Sequence, residues 1–381
     1  LNNEAVLALE DGSLFFGKSI GACCDVGGEV VFNTSITGYQ EILTDPSYAK
    51  QMVALTYPHI GNTGINSIDI ESNNIYASAL IIKNESIIPS NWRSEQTLGS
   101  YLQKNGIPAI ANIDTRRLTR IIRKKGAMRG WICTKPDSSK EDLAANALEQ
   151  VKTVNKLTNL DLASQVSTKK SYNWQQSIWD CITNSYPEIA KEQLQHHVVV
   201  YDFGVKKNIL RMLVARGCNL TVVPATTTAE EVLALKPKGV LLSNGPGDPE
   251  PCDYAITAIK QLLINKVPIL GICLGHQLLA IAKGAKTEKM KFGHHGANHP
   301  VQDVTTKKVF ISSQNHGFAV KAETLPKDVK VTHTSLFDGS LQGIECVNSR
   351  AIGFQGHPEA GPGPQELNTV FDKFITFLTS K

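Results

Sequence analysis

An α/β fold is predicted for this chain: a doubly wound, mostly parallel sheet in the C-terminal half, behind an N-terminal strand-rich α/β domain. Three observations predict it. From about residue 193 onward, short apolar runs alternate with helix-like segments at the spacing of βαβ units. Several of those runs end in glycine-bearing turns, as strands do where a parallel sheet places its sites. Residues 1–150 instead carry β-branched runs broken by Gly, Pro and Asn.

The elements follow in order. In the first part, residues 29–34 and 52–57 read as strands and residues 115–125 as a basic helix. Residues 151–192 are polar and weakly periodic, including Ser171-Tyr172-Asn173-Trp174, and read as a connector. The domain expected over residues 193–381 opens with a strand at 198–201, a helix at 207–216 and a strand at 220–223. A helix at 229–235 follows Thr227 and Glu230, which have the spacing of a capping box. A strand running into Ser243, a helix at 254–264, and strands near 267–270 and 351–354 complete the pattern.

The most informative stretch is Gly271-Ile272-Cys273-Leu274-Gly275-His276-Gln277, between the apolar run Val267-Pro268-Ile269-Leu270 and Leu278-Leu279-Ala280-Ile281-Ala282. Strand, sharp turn, helix is the nucleophile-elbow pattern, with sulfur in place of the serine oxygen. The glycines permit a reversal that a Cβ would block. The helix behind the cysteine points its N–H groups and positive dipole end at Cys273, an environment that supports a negatively charged sulfur. Alone, such a cysteine could equally be a small buried hydrophobe.

Two further segments supply what a thiol nucleophile needs. In Phe354-Gln355-Gly356-His357-Pro358-Glu359, Pro358 disfavours helix at His357, so the segment is expected to be extended. Residues two apart then share a side, and His357 with Glu359 can act as base and orienter for Cys273. In Ser243-Asn244-Gly245-Pro246-Gly247-Asp248-Pro249, a stiff glycine turn can present amides to an oxyanion beside the amide of Leu274.

Together these segments resemble the class I, triad-type glutamine amidotransferases, over roughly the last half of the chain. The resemblance implies that Cys273 attacks the side-chain amide of glutamine, with His357 as base and Glu359 as its orienter. It also places the substrate against Gly245, Gly247, Leu274, Gln277, Asn315, Gly317 and Phe318. Several neutral hydrogen-bond partners suit an amide and an amino-acid head group.

The first half is more specific. Gly28-Glu29-Val30-Val31-Phe32-Asn33-Thr34, Thr37-Gly38-Tyr39-Gln40-Glu41-Ile42-Leu43-Thr44-Asp45-Pro46-Ser47-Tyr48 and Ile113-Asp114-Thr115-Arg116-Arg117-Leu118-Thr119 are similar to the N-terminal domain of carbamoyl phosphate synthetase small subunits. That resemblance implies a partner-association role for residues 1–150 and a large synthetase subunit as partner. It implies ammonia delivery for carbamoyl phosphate synthesis in arginine or pyrimidine biosynthesis, and a glutamine contact from Ser47. ATP and Mg are expected on the partner, with no cofactor in this chain. Gly361 stands where serine is expected, beyond the triad.

Composition fits a globular enzyme: 41% hydrophobic and 19% charged residues, with a net charge of +4 that argues weakly for any polyanionic partner. Eight scattered cysteines without a CxxC pair favour a reducing compartment, so a cytoplasmic location is expected. No apolar run approaches the ~18–20 residues of a membrane span. No signal-like start is present, and an initiator or short leader is compatible with a chain beginning at Leu1. Gly284-Ala285-Lys286-Thr287 lacks the spacing of a phosphate loop. His294, His295 and His299 lie among Gly293, Gly296 and Pro300, which reads as a loop rather than a metal site. The cations Arg116, Arg117, Arg120, Arg123, Lys124 and Lys125 read as one face of an amphipathic helix, solvated or partner-binding. A free-standing Cys-His-Glu hydrolase and a non-catalytic binding protein are the competing functions.

Overall fold

The computed structural model describes residues 4–134 and 138–379. The chain divides into two compact units, Leu1–Leu157 with Lys291–Gly296, and Thr158–Met290 with Ala297–Lys381.

The first unit is built on a closed barrel. Its strands are β1 (Glu4–Leu9), β2 (Leu14–Ser19), β3 (Val26–Asn33), β4 (Gln51–Leu55), β6 (Ala79–Ile81), β8 (Ala109–Ala111) and β9 (Met128–Cys133), while β5 (His59–Ile60) and β7 (Asn84–Glu85) form a separate pair. The order β1-β2-β8-β6-β4-β3-β9 closes where β9 pairs back on β1. Successive strand residues face opposite ways. Val30, Phe32, Met52 and Ala54 therefore share a buried cluster with Leu118 and Ile122 of the helix Thr115–Lys125. Their neighbours Val31 and Val53 pack instead with Leu43, Leu98 and Leu102. That helix starts where the Asp114 carboxylate accepts the Arg117 N–H at 2.8 Å, and it ends at Gly126, whose φ of 103° suits glycine. The amphipathic reading of this segment holds: Leu118 and Ile122 are buried while Arg116, Arg120, Arg123 and Lys124 are exposed.

The second unit carries a ten-stranded sheet in the order β10-β12-β11-β13-β14-β19-β18-β17-β15-β16. These are β10 (Tyr172–Trp174), β11 (His196–Asp202), β12 (Cys218–Pro224), β13 (Gly239–Leu242), β14 (Ile269–Ile272), β15 (Thr287–Asp303), β16 (Val309–Val320), β17 (Val329–Ser335), β18 (Leu341–Cys346) and β19 (Ala351–Phe354). The five strands β12, β11, β13, β14 and β19 run parallel. Register fixes the site: Leu242 pairs with Gly271 and Ile272 with Phe354. The carboxyl ends of β13, β14 and β19 thus lie side by side, and the glycine turn, the elbow and the His-Pro-Glu segment leave the sheet together.

Three details differ from the sequence reading. Residues 158–192, expected within a connector, belong to the second unit, where β10 extends the sheet by pairing with β12. The capping box is Thr228 with Glu231, one residue later than expected, because Thr228 has the extended conformation an N-cap requires. The segment holding His294, His295 and His299 is strand rather than loop. Gly293 and Gly296, at φ 70° and 157°, are accommodated within the 17-residue β15. Among the described residues no helix is long and apolar enough to cross a membrane, and no group of three or more His, Cys, Asp or Glu side chains is placed to hold a metal ion.

Candidate active site

Cys273 is the N-cap of the helix Leu274–Ala282, with φ 52° and ψ −105°. A non-glycine residue reaches such a conformation only when its surroundings impose it. Here the Cys273 N–H donates to Phe354 O at 2.9 Å and the Gly275 N–H to Ser243 O at 3.0 Å. The turn also presses backbone on backbone. A Cβ at Gly275 would lie 2.1 Å from Leu242 O, so any larger residue would force the helix off β13. The cysteine is 2% exposed, and its thiol donates to Asn315 O at 3.5 Å.

The glycine turn packs against the elbow. A Cβ at Gly245 would meet Phe203 O at 2.3 Å and the Leu274 side chain at 2.7 Å. Gly247, at φ 82°, rests on Leu162. The Ser243 hydroxyl ties the strand end down by accepting the Phe203 N–H and donating to Asn244 O.

His357 lies in an isolated bridge against Ser313, donating its N–H to Ser313 O at 2.8 Å. The expected extended path continues only this far. Glu359 follows in a turn closed by the Ala360 N–H on His357 O, and across that turn His357 Nδ1 meets Glu359 Oε1 at 2.7 Å. Proline at 358 suits a turn as well as a strand, which is why the local sequence did not distinguish them.

Sequence reasoning missed the groups that hold Glu359. Lys206, itself 2% exposed, places Nζ 3.0 Å from Glu359 Oε1 and also donates to Ala360 O. Asn208 donates its side-chain amide to Glu359 O. The Lys206 N–H in turn donates to Asn244 Oδ1 at 3.1 Å, tying this cluster to the glycine turn. One signal was available: Lys206 follows β11, at the carboxyl edge of the parallel sheet, where sites form.

Electrostatics sort the two buried histidines near the cysteine. Burial pushes His276 down to about 4, so it is a neutral packing residue. Burial also opposes the charge on His357, but the Glu359 carboxylate and the Cys273 side chain outweigh it and hold His357 well above the ordinary histidine value. Burial likewise works against the Glu359 carboxylate, and Lys206 and His357 overcome it, holding the group well below the usual carboxylate range. The site is therefore a buried line of polar contacts from Lys206 through Glu359 to the His357 imidazole beside the Cys273 sulfur.

The second unit also brings the other expected residues together. Gln277, on the helix after the cysteine, donates to Phe318 O at 2.9 Å, which draws Asn315, Gly317 and Phe318 of β16 alongside. Gln277 Oε1 is buried without a hydrogen-bond partner. Ser47 belongs to the first unit, buried in the single turn Pro46–Tyr48, where its N–H donates to Asp45 Oδ1 at 2.9 Å.

An elbow cysteine on a parallel sheet is the arrangement of class I glutamine amidotransferases, and the model of that family, described as glutamine amidotransferase class-I, matches residues 199–377. The carbamoyl-phosphate synthase small chain, CPSase domain, matches residues 7–132. A carbamoyl phosphate synthase small chain from Pseudomonas syringae pv. tomato is 58% identical over 381 residues, covering 100% of both chains. The Pseudomonas aeruginosa protein of that name is likewise 58% identical over 381 residues and the whole of both chains. The Escherichia coli K12 one is 57% identical over 378 residues, 98% of this chain and 97% of its own. The chain belongs to the carbamoyl phosphate synthase small-chain family and has the glutamine amidotransferase domain of that subunit.

Proposed function

We propose that this chain hydrolyses glutamine through a thioester on Cys273 and passes the ammonia to a large synthetase subunit, which makes carbamoyl phosphate from bicarbonate and ATP. The observation that carries the reading is the buried Lys206–Glu359–His357 line of polar contacts ending beside the elbow cysteine.

The Cys273 thiol passes its proton to His357 as the sulfur attacks the amide carbon, forming the C–S bond. The oxyanion is met by the Gly245 and Leu274 amides. His357, now the imidazolium, gives that proton to the departing nitrogen as the C–N bond breaks. It then takes a proton from water, whose oxygen attacks the thioester carbon; the C–S bond breaks and glutamate leaves. Glu359 keeps the imidazole oriented and its charge balanced in both halves. Gln277, Asn315, Gly317, Phe318 and Gly247 hold the substrate, and the unpartnered Gln277 Oε1 supports this, since buried polar atoms are normally paired. Ser47 is assigned to glutamine binding by the family resemblance. A cytoplasmic setting, with ATP and Mg on the partner, completes the proposal.

Cys273→Ser tests it. With the partner subunit present, glutamine-dependent synthesis is expected to fall by about 10⁴-fold or more, while ammonia-dependent synthesis continues. Near-normal glutaminase activity in this variant would overturn the assignment.

A further inference from the structure

Gln355 is buried at 0% exposure, two residues before His357, and the mechanism above gives it no part. Its Nε2 lies 3.8 Å from Cys273 Sγ, in donor geometry. Its Oε1 accepts from Gln277 Nε2 at 3.1 Å. We propose that Gln355 is a catalytic contact, a neutral side-chain donor that holds the Cys273 sulfur in its attacking position and stabilises it as a leaving thiolate when the thioester breaks.

The direction of the amide, on which this depends, follows from counting donors. Phe318 O can only accept, so Gln277 must turn its nitrogen toward it, at 2.9 Å. The second hydrogen of that nitrogen then meets Gln355, which must present its oxygen. Gln355 is left with its NH₂ facing the sulfur. A flipped Gln355 would set two NH₂ groups against each other in a buried site. The backbone admits no escape, because the Gln355 N–H donates to Gln342 O at 2.8 Å, and a Cβ on the next residue, Gly356, would lie 2.4 Å from Ser312 Oγ.

The chemistry asks for such a donor. His357 must move protons in both half-reactions, so it cannot also be a constant partner for the sulfur. A donor that never titrates can. A hydrogen bond to an ionised acceptor is shorter and roughly twice as strong as a neutral one, so the contact is expected to tighten as charge returns to sulfur. The same chain of amides joins Gln277, proposed to hold glutamine, to the nucleophile.

The inference rests on the proposed role of Cys273, and its test separates the two. In the full-length chain, Gln355→Met removes the donor at similar volume. Gln355→Glu keeps an oxygen for Gln277 but turns a second oxygen to the sulfur, and serves also if the methionine variant fails to fold. Folding is checked by circular dichroism, and the rate of Cys273 alkylation by iodoacetamide is followed by peptide mass across pH, alongside kcat and KM for glutamine. In Gln355→Met, alkylation at pH 7 is expected to slow about tenfold, its pH profile to move alkaline, and kcat to fall with KM little changed; Gln355→Glu should exceed it on each measure. A folded variant with the wild-type alkylation profile and kcat overturns the inference, as does a loss confined to KM. Cys273→Ser retaining glutaminase activity would instead remove the underlying reading.

Discussion

The elbow Gly271–Gln277 and the turn Gln355–Ala360 carry the two halves of the proposed site, yet they are built differently. The elbow is a local structure. Its conformation follows from a strand, two glycines and a helix contiguous in sequence, and its key constraint is the absence of a Cβ beside Leu242 O. The turn is a tertiary structure. Glu359 points at His357 because Lys206, far away in the chain, neutralises it, and because β16 supplies Ser313 to position the histidine. A nucleophile can thus be written into a few consecutive residues, whereas a buried charged base needs counter-charges gathered from elsewhere.

Substitutions at the two regions should therefore fail in different ways. The largest effect is expected at the base. His357→Asn removes the group proposed to move every proton, and glutaminase kcat should drop about 10²–10⁴-fold with the fold intact by circular dichroism. Activity within a few-fold of wild type would mean that the line of contacts serves packing rather than chemistry.

Next is the counter-charge. Lys206→Met leaves the Glu359 carboxylate buried with one partner fewer, and breaking such a pair costs about 3–5 kcal/mol. The sign with pH is definite. Because Glu359 is held below its ordinary value of 4.5, its stabilisation is present above that pH and is lost as pH falls through the folded-state value. His357 is held above its ordinary 6.5, so its share is full below that pH and is lost as pH rises through the raised folded-state value. Thermal melts of wild type and Lys206→Met should therefore differ by a steady amount above pH 4.5 and converge as pH falls through the folded-state value of Glu359. A gap that persists undiminished on acidification would separate Lys206 from Glu359.

The smallest of the three belongs to the elbow. Gly275→Ala places a methyl against Leu242 O, a purely steric insult expected to cost about 1–3 kcal/mol, with no change in the shape of the pH profile. A melting temperature equal to wild type would show that the helix and β13 can part more easily than the geometry implies.

How much was legible beforehand follows the same division. The parallel sheet, the helix Thr115–Lys125 and the cysteine turn were readable because period and glycine placement act over a few residues. The pairing of His357 with Glu359 was readable, although its path was taken as extended rather than turned. Lys206, Asn208 and Gln355 were not legible in their roles: a lysine after a strand and a glutamine before a histidine are ordinary until the fold shows what they touch. The strand nature of residues 293–300 was hidden for the opposite reason, since glycine and proline signal loops locally but are tolerated where a long strand bends.

What the sequence by itself determined, then, was the order of elements and the cysteine elbow, because each depends on short-range sterics and on which atoms a side chain carries. Only the tertiary structure decided which histidine is held neutral by burial and which is raised by a neighbouring carboxylate. Burial and the nearest counter-charge set protonation, and both are properties of neighbours brought together across the sheet.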